Sequence, residues 1–341
     1  MSISELSLSI FGAVAAAILS AGITKALQPW LLQHALARPN ARSSHRVATP
    51  QGGGVAVIGA TLVVVGITAY CTYAARSNTL AAIFAASLFI AIVGFADDAK
   101  SIPVLPRLVL QAVAVGAVIF VAPSDLRLVP ACPFWIERSL LLLAGLWFIN
   151  LVNFMDGLDW MTVAEVVPIT IALVALGWLG ELSVSATTVA AALCGAMVGF
   201  APFNRPIAKL FLGDVGSLPI GLLLGWCLLQ LAYHQQLAAA LLLPLYYLTD
   251  ATVTLLRRLA KGERFWAAHR SHFYQRATDN GFTVLRVISE VFALNVGLAA
   301  LAIASTMTHS AAINIAFMII GGTAVASIMY RFSQPRHPAS S

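Results

Sequence analysis

The chain has 341 residues, of which 60% are hydrophobic and 10% charged, and its mean hydropathy is +0.87. A soluble domain carries roughly 25% charged residues, so a water-soluble fold is excluded. The formal net charge of +6 comes from 20 basic and 14 acidic residues, with no polar stretch large enough for a nucleic-acid-binding domain.

Eleven apolar segments approach the ~20 residues that cross ~30 Å of hydrocarbon. The predicted fold is therefore an all-α polytopic membrane protein of ten or eleven transmembrane helices. The first runs over about 6–28, behind Glu5 alone. It lacks a positive leader and a small-residue cleavage pattern, and we expect it to be retained. The second (52–70) follows the bend Thr49-Pro50-Gln51-Gly52-Gly53-Gly54, and the third (79–96) ends on Asp97-Asp98. After the fourth (103–122) comes the fifth (138–155), which holds Asn150 and Asn153 and runs on to Asp156 and Asp159. The sixth (161–179) and seventh (185–203) lead to Asn204; the eighth (216–232) is opened by Gly213-Asp214-Val215-Gly216-Ser217. The ninth (237–256) precedes a polar loop with His269-Arg270-Ser271-His272, and the tenth (286–306) and eleventh (310–330) complete the set. Strict alternation of polarity is missing, which argues against an outer-membrane barrel. Residues 1–332 read as one integral-membrane domain and 333–341 as a short cytoplasmic tail.

Lys and Arg set the orientation. With the N-terminus outside, the outward loops carry Arg76, Arg127 and Arg138, leaving 17 of the 20 basic residues on or beside the inward loops and tail. That bias fits the positive-inside rule. It describes a cytoplasmic face suited to anionic lipid headgroups and phosphorylated substrates. Under this one topology Asp97-Asp98, the Asn/Asp series, Asp214, His45 and His269-His272 all fall on the cytoplasmic side. Ionisable groups are kept at membrane depth where they pair, bind or react, so the clusters predict one composite site.

Each cluster suggests a chemistry. Asp97-Asp98 can bind a divalent cation or supply a base with a supporting partner; a solvated interfacial pair beside Lys100 would look the same. Asn150, Asn153, Asp156 and Asp159 recur every three residues and are expected to form one helical stripe. Such amides and carboxylates can hold Mg²⁺ and hydrogen-bond phosphate or sugar hydroxyls. Asp214 is either an ordinary N-cap or a metal ligand beside amides that face phosphate. His269, Arg270 and His272 suit phosphate contact; a zinc site would need more ligands. Cys71, Cys132, Cys194 and Cys227 show no CxxC spacing and read as apolar fillers, although Cys71 and Cys132 both fall near the outer face.

Taken in order, Arg42-Ser43-Ser44-His45 with Thr49-Pro50, Asp97-Asp98, Asn150-x-x-Asn153-x-x-Asp156-Gly157-x-Asp159, Phe203-Asn204, Gly213-Asp214-x-Gly216-Ser217 and His269-x-x-His272 form a recognisable set. It resembles the polyprenyl-phosphate N-acetylhexosamine-1-phosphate transferases of glycosyltransferase family 4, over about residues 38–276. The resemblance implies a cytoplasm-facing cleft in a bacterial inner membrane. It further implies transfer of a sugar-1-phosphate from a UDP-HexNAc to undecaprenyl phosphate, release of UMP, and Mg²⁺ or Mn²⁺ as cofactor. Where related enzymes carry a third Asp after Asp-Asp this chain has Ser101, and its last motif lacks the adjacent histidines of the phospho-MurNAc-pentapeptide translocases. It is similar to the branch that initiates O-antigen and other surface glycans, with UDP-GlcNAc or UDP-FucNAc as donor.

On this basis Asp214 and Asn153 are expected at the metal. Asp97, supported by Asp98, is expected as base or lipid-phosphate partner, and Asp156 as a metal-shell residue or nucleophile. His45, Asn150, Asp159, Asn204, His269, Arg270 and His272 are the expected substrate contacts. The peptidoglycan translocase reaction is the nearest alternative. A secondary transporter is the rival from another class, and it would place acids at the bilayer midplane; Glu165, Asp250 and Glu290 are the acids inside segments. The apolar outer surface is compatible with a homodimer without specifying one.

Overall fold

The computed structural model describes residues 3–37, 48–72, 78–263, 269–308 and 310–336. His45, with Arg42 and Arg46, lies outside the described residues. Long apolar runs become helices because lipid offers no partner for an open backbone N–H or C=O. In chain order these are α1 (Ile3–His34), α2 (Gly54–Cys71), α3 (Asn78–Ala99), α4 (Val104–Val121) and α5 (Phe134–Met155). They continue with α6 (Met161–Trp178), α7 (Val184–Phe200), α8 (Asp214–Tyr233), α9 (Leu237–Leu242), α10 (Leu245–Ala260), α11 (Phe273–Asp279), α12 (Val284–Thr306) and α13 (Ala311–Ser333). Proline or a hydroxyl residue starts many of them. Pro103, Pro133 and Pro244 stand at the N-caps of α4, α5 and α10, and the side chains of Ser183, Thr283 and Ser310 cap α7, α12 and α13.

Ten of the described helices are long and apolar enough to cross a membrane, so the protein is an all-α polytopic membrane protein. The expected ninth segment, 237–256, is not one helix. It divides into α9 and α10 at Pro244, whose ring removes an N–H and excludes the preceding turn, and neither piece reaches spanning length alone. Together they return the chain from the end of α8 to the opposite end of the bundle.

α8 is the hub, packed against α2, α3, α5, α7 and α9. At one end of the bundle the turn 49–54 lies beside 211–212: Phe211 N–H donates to Pro50 O (2.8 Å), Gly53 N–H to Phe211 O (2.9 Å) and Gly54 N–H to Leu212 O (2.8 Å). The two-residue strands β1 (Leu36–Ala37) and β2 (Thr49–Pro50) pair antiparallel just before it. The first turns of α2 and α8 then touch through glycine. A Cβ on Gly54 would sit 2.2 Å from the Gly216 Cα, so only glycine permits this approach.

The opposite end is organised by Arg138, which lies inside α5 rather than in a loop and is wholly buried. Its guanidinium donates to the carbonyls of Ile119 (3.0 Å), Pro123 (2.8 Å) and Leu126 (3.1 Å) and to Tyr233 Oη (3.2 Å). Cys71, Cys132, Cys194 and Cys227 are all free thiols, so Cys71 and Cys132 do not pair.

Candidate active site

Three helix ends meet where the glycine contact brings α2 and α8 together. α3 delivers Asp97 and Asp98, α5 delivers Asn153, and α8 begins with Asp214. Asp98 Oδ1 accepts from Asp214 N–H (2.9 Å) and Oδ2 from Val215 N–H (3.0 Å). Asp98 therefore caps α8 from another helix, filling the amides that a helix start leaves open and lying at its positive end. Gly213 makes this fit possible: its φ of +77° suits glycine, and a Cβ there would stand 2.5 Å from Asp98 Oδ2. Gln51 Nε2 fixes the same segment by donating to the Asp98 carbonyl (3.0 Å).

Because Asp98 does the capping, the Asp214 side chain does not. Its Oδ1 accepts from Asn153 Nδ2 (2.7 Å), which also donates to Ser217 Oγ (2.9 Å). Its Oδ2 stands 3.9 Å from Arg107 Nη1. Arg107 was not among the expected site residues. It projects from the first turn of α4 and donates to Asp97 Oδ2 (2.8 Å), while Asp97 Oδ1 accepts from Ile102 N–H (2.6 Å).

The expected helical stripe does not form, because α5 ends at Met155 and its polar residues part company there. Asn150, one turn deeper, donates to Gln111 Oε1 (2.6 Å) and joins α5 to α4. Asp156 lies past the helix and accepts from Thr162 Oγ1. Asp159 accepts from Ala208 N–H (2.9 Å), and Asn204 accepts from Trp160 N–H (2.8 Å) and donates to Leu210 O (3.0 Å). Asp159 and Asn204 thus tie the turn 156–160 to the loop 201–213, both buried.

The histidine motif closes another side. Tyr274 Oη in α11 donates to the Phe154 carbonyl at the end of α5 (3.0 Å), and the His272 ring lies 6.5 Å from that of Phe154. The His269 and His272 rings are 5.0 Å apart. Arg270 turns onto α11, donating to Thr278 Oγ1 (3.0 Å) and pairing with Asp279 (3.3 Å). Glu165, the acid in the body of α6, accepts from Asn295 Nδ2 of α12 (2.6 Å) and binds those helices together.

Burial pushes the Asp156 carboxyl up to about 7; the Thr162 hydrogen bond opposes this, and the charges of Asp98 and Asp159 reinforce it. An unfolded Asp ionises near 3.8, so the folded chain holds the extra proton between these values. The associated stability is full below the unfolded value and is lost as pH rises through about 7. At about 1.36 kcal/mol per pH unit of separation, the loss is on the order of 4 kcal/mol. Asp156→Asn is expected to flatten the fall in melting temperature across that window, measured in detergent with EDTA. An unchanged slope would assign the titration elsewhere.

The cluster holds three carboxylates, Asp97, Asp98 and Asp214, against one guanidinium, with Asp98 further offset by the start of α8. The carboxylates are hard oxygen donors of the type that suit Mg²⁺. Asp214, whose carboxylate accepts from Asn153, is the residue that would hold such a cation. Among the described residues no three His, Cys, Asp or Glu side chains form a complete metal cage.

Fold and site together define a multi-pass membrane protein with an acidic centre where the ends of α3, α5 and α8 meet. Residues 80–232 match the family model described as glycosyl transferase family 4, a span that includes Asp97, Arg107, Asn153, Asp156 and Asp214. The chain is similar to members of glycosyl transferase family 4. It is 27% identical over 328 residues to the decaprenyl-phosphate N-acetylglucosaminephosphotransferase of Mycobacterium tuberculosis H37Rv, covering 85% of this chain and 81% of that protein. It is 28% identical over 285 residues to a Bacillus subtilis protein named "Probable undecaprenyl-phosphate N-acetylglucosaminyl 1-phosphate transferase", covering 76% of each. The phospho-N-acetylmuramoyl-pentapeptide-transferase of Streptococcus gordonii is 28% identical over 225 residues, 62% of this chain and 68% of that protein.

Proposed function

We propose that the chain transfers a HexNAc-1-phosphate from a UDP-HexNAc donor of the UDP-GlcNAc or UDP-FucNAc type to undecaprenyl phosphate. UMP is released, and the product initiates a lipid-linked surface glycan of the O-antigen kind at a bacterial inner membrane. The observation that carries this reading is the convergence of Asp214, Asn153, Asp97 and Arg107 at one end of the bundle, next to an apolar groove. The groove, about 250 Å³, runs between α4, α5, α8, α9 and α10 and is lined by Val118, Phe148, Trp226 and Leu241. Ile149 and Gly221 line it as well, and each stands four residues along its helix from Asn153 or Ser217. A long isoprenoid whose phosphate must reach the acids suits such a shape, and the relatives named for polyprenyl phosphates support it.

In the reaction an acceptor phosphate oxygen attacks the β-phosphorus of the donor, forming a new P–O bond while the bond to the α-phosphate oxygen breaks and UMP departs. A phosphomonoester has its second pKa near 6, so the acceptor is largely dianionic at neutral pH. Neutralising charge therefore matters more than removing a proton. Arg107, held by Asp97, is the protein's cation for that task. Asp214 would hold Mg²⁺, which when bound supplies charge neutralisation at the pyrophosphate. Asn153 keeps the Asp214 carboxylate oriented, and His272, beside Phe154 at the end of α5, would meet phosphate.

UMP release by purified protein with undecaprenyl phosphate and a panel of UDP-HexNAc donors tests the reading. Release is expected to need lipid and Mg²⁺ and to stop with EDTA. Silence across a broad donor panel with folded protein would turn attention to the transporter reading. The groove has its own test. Ala144 is exposed on its wall, and Ala144→Trp is expected to raise the KM for undecaprenyl phosphate about tenfold, the cost of roughly 1.4 kcal/mol, with donor KM unchanged. Equal changes in both KM values would remove the groove from acceptor binding.

A further inference from the structure

We propose that Asp250 is a positioning residue for His272, clamping Nδ1 so that Nε2 is presented to a substrate phosphate; the phosphate role rests on the transferase reading above. Asp250 lies within α10 and is wholly buried. A buried carboxylate is tolerated only when its oxygens are filled, and here five donors converge on it. Oδ1 accepts from His272 Nδ1 (3.2 Å), Phe273 N–H (3.1 Å) and Thr254 Oγ1 (3.2 Å). Oδ2 accepts from Tyr274 N–H (3.2 Å) and Tyr246 Oη (3.2 Å).

Two consequences follow from that arrangement. The N–H groups of Phe273 and Tyr274 open α11, whose own N-cap residue, His272, makes no side-chain cap; Asp250 caps the helix from outside. The same carboxylate takes the His272 Nδ1–H, so this nitrogen is spent whether the ring is neutral or charged. Nε2 is left, and among the described residues it has no hydrogen-bond partner in the protein. With Tyr274 Oη anchored on the Phe154 carbonyl (3.0 Å), the clamped ring is held beside the α5 end that carries Asn153. An imidazole fixed in this way has lost its rotational freedom before substrate arrives, which is how a partner behind a binding group raises its effectiveness.

The test is a double-mutant cycle on the full-length protein in detergent, with UMP release as the rate and ¹⁵N correlation spectra of labelled histidines as the structural readout. Asp250→Asn is expected to cost about 10–100-fold in turnover, the range for a partner that orients a binding group. His272→Gln is expected to cost at least as much, and the double variant no more than His272→Gln alone. Asp250→Glu is expected to recover part of the loss. The His272 resonance, assigned by its disappearance in His272→Gln, is expected to report Nδ1–H in the wild type. Multiplying rather than overlapping costs, or an Nε2–H tautomer in the wild type, would overturn the proposal. If Asp250→Asn does not fold, the wild-type tautomer decides alone. A wild type that releases no UMP with any donor overturns the transferase reading and the phosphate role with it, while the tautomer still decides the Asp250–His272 pair.

Discussion

Asp214→Asn is expected to lower UMP release by at least about 10³-fold, the scale seen when one preorganised electrostatic group is removed from a transition state, while the protein stays folded. The reasons lie in the division of labour around α8. The first amides of that helix are filled by Asp98, so Asp214 carries none of the capping. Replacing its carboxylate with an amide leaves backbone, glycine contact and Asn153 geometry largely as they are. What changes is charge: one of the three carboxylates of the cluster is gone, and with it the cation it would hold. Asp98→Asn should behave differently. An amide group there can offer only one oxygen to two N–H donors, so the start of α8 loses an anchor and melting temperature falls along with rate. Rate and melting temperature measured for both variants separate the roles. Full activity in Asp214→Asn would remove Asp214 from the reaction.

Arg107→Gln is expected to reduce kcat by roughly 10²–10³-fold, comparable to losing one donor aimed at developing phosphate charge, with a smaller effect on donor KM. Arg107 stands between Asp97 (2.8 Å) and Asp214 (3.9 Å). Its removal leaves the two carboxylates facing each other and an incoming dianion without its counter-charge. Arg107→Lys is expected to recover only part of the loss, because an ammonium cannot reproduce the planar fork of donors. Steady-state kinetics of the three proteins decide the matter, and a kcat for Arg107→Gln within twofold of wild type would make the arginine a structural partner of Asp97 alone.

Some of this site could be read from the chain and some could not, and the residues show why. Asp97-Asp98, Asn153 and Asp214 stand out because acids at the ends of apolar runs are rare and costly. Arg107 did not stand out. A lone arginine near the end of an apolar helix ordinarily snorkels to the interface, and nothing within α4 marks this one as different. Asn204 and Asp159 were legible as polar and close to the others, yet their partners are the backbone N–H groups of Trp160 and Ala208. Polar type showed that a partner was needed without showing which. The division of the ninth segment has a visible signal in Pro244, set in a run of leucines.

The sequence by itself determined the membrane class, ten of the eleven expected spans, and the gathering of acids at helix ends that share one end of the bundle. All of these follow from local hydropathy and the alternation of crossings, which are one-dimensional properties. Only the tertiary structure decided what each oxygen does: Asp98 caps α8 across 116 residues, Asn153 steers Asp214 across 61, and Asp250 clasps His272 across 22. A polar group withdrawn from water must find a partner, but within a bundle of apolar helices that partner arrives from another helix. Which one is adjacent is set by close packing at points such as Gly54 against Gly216, and not by distance along the chain.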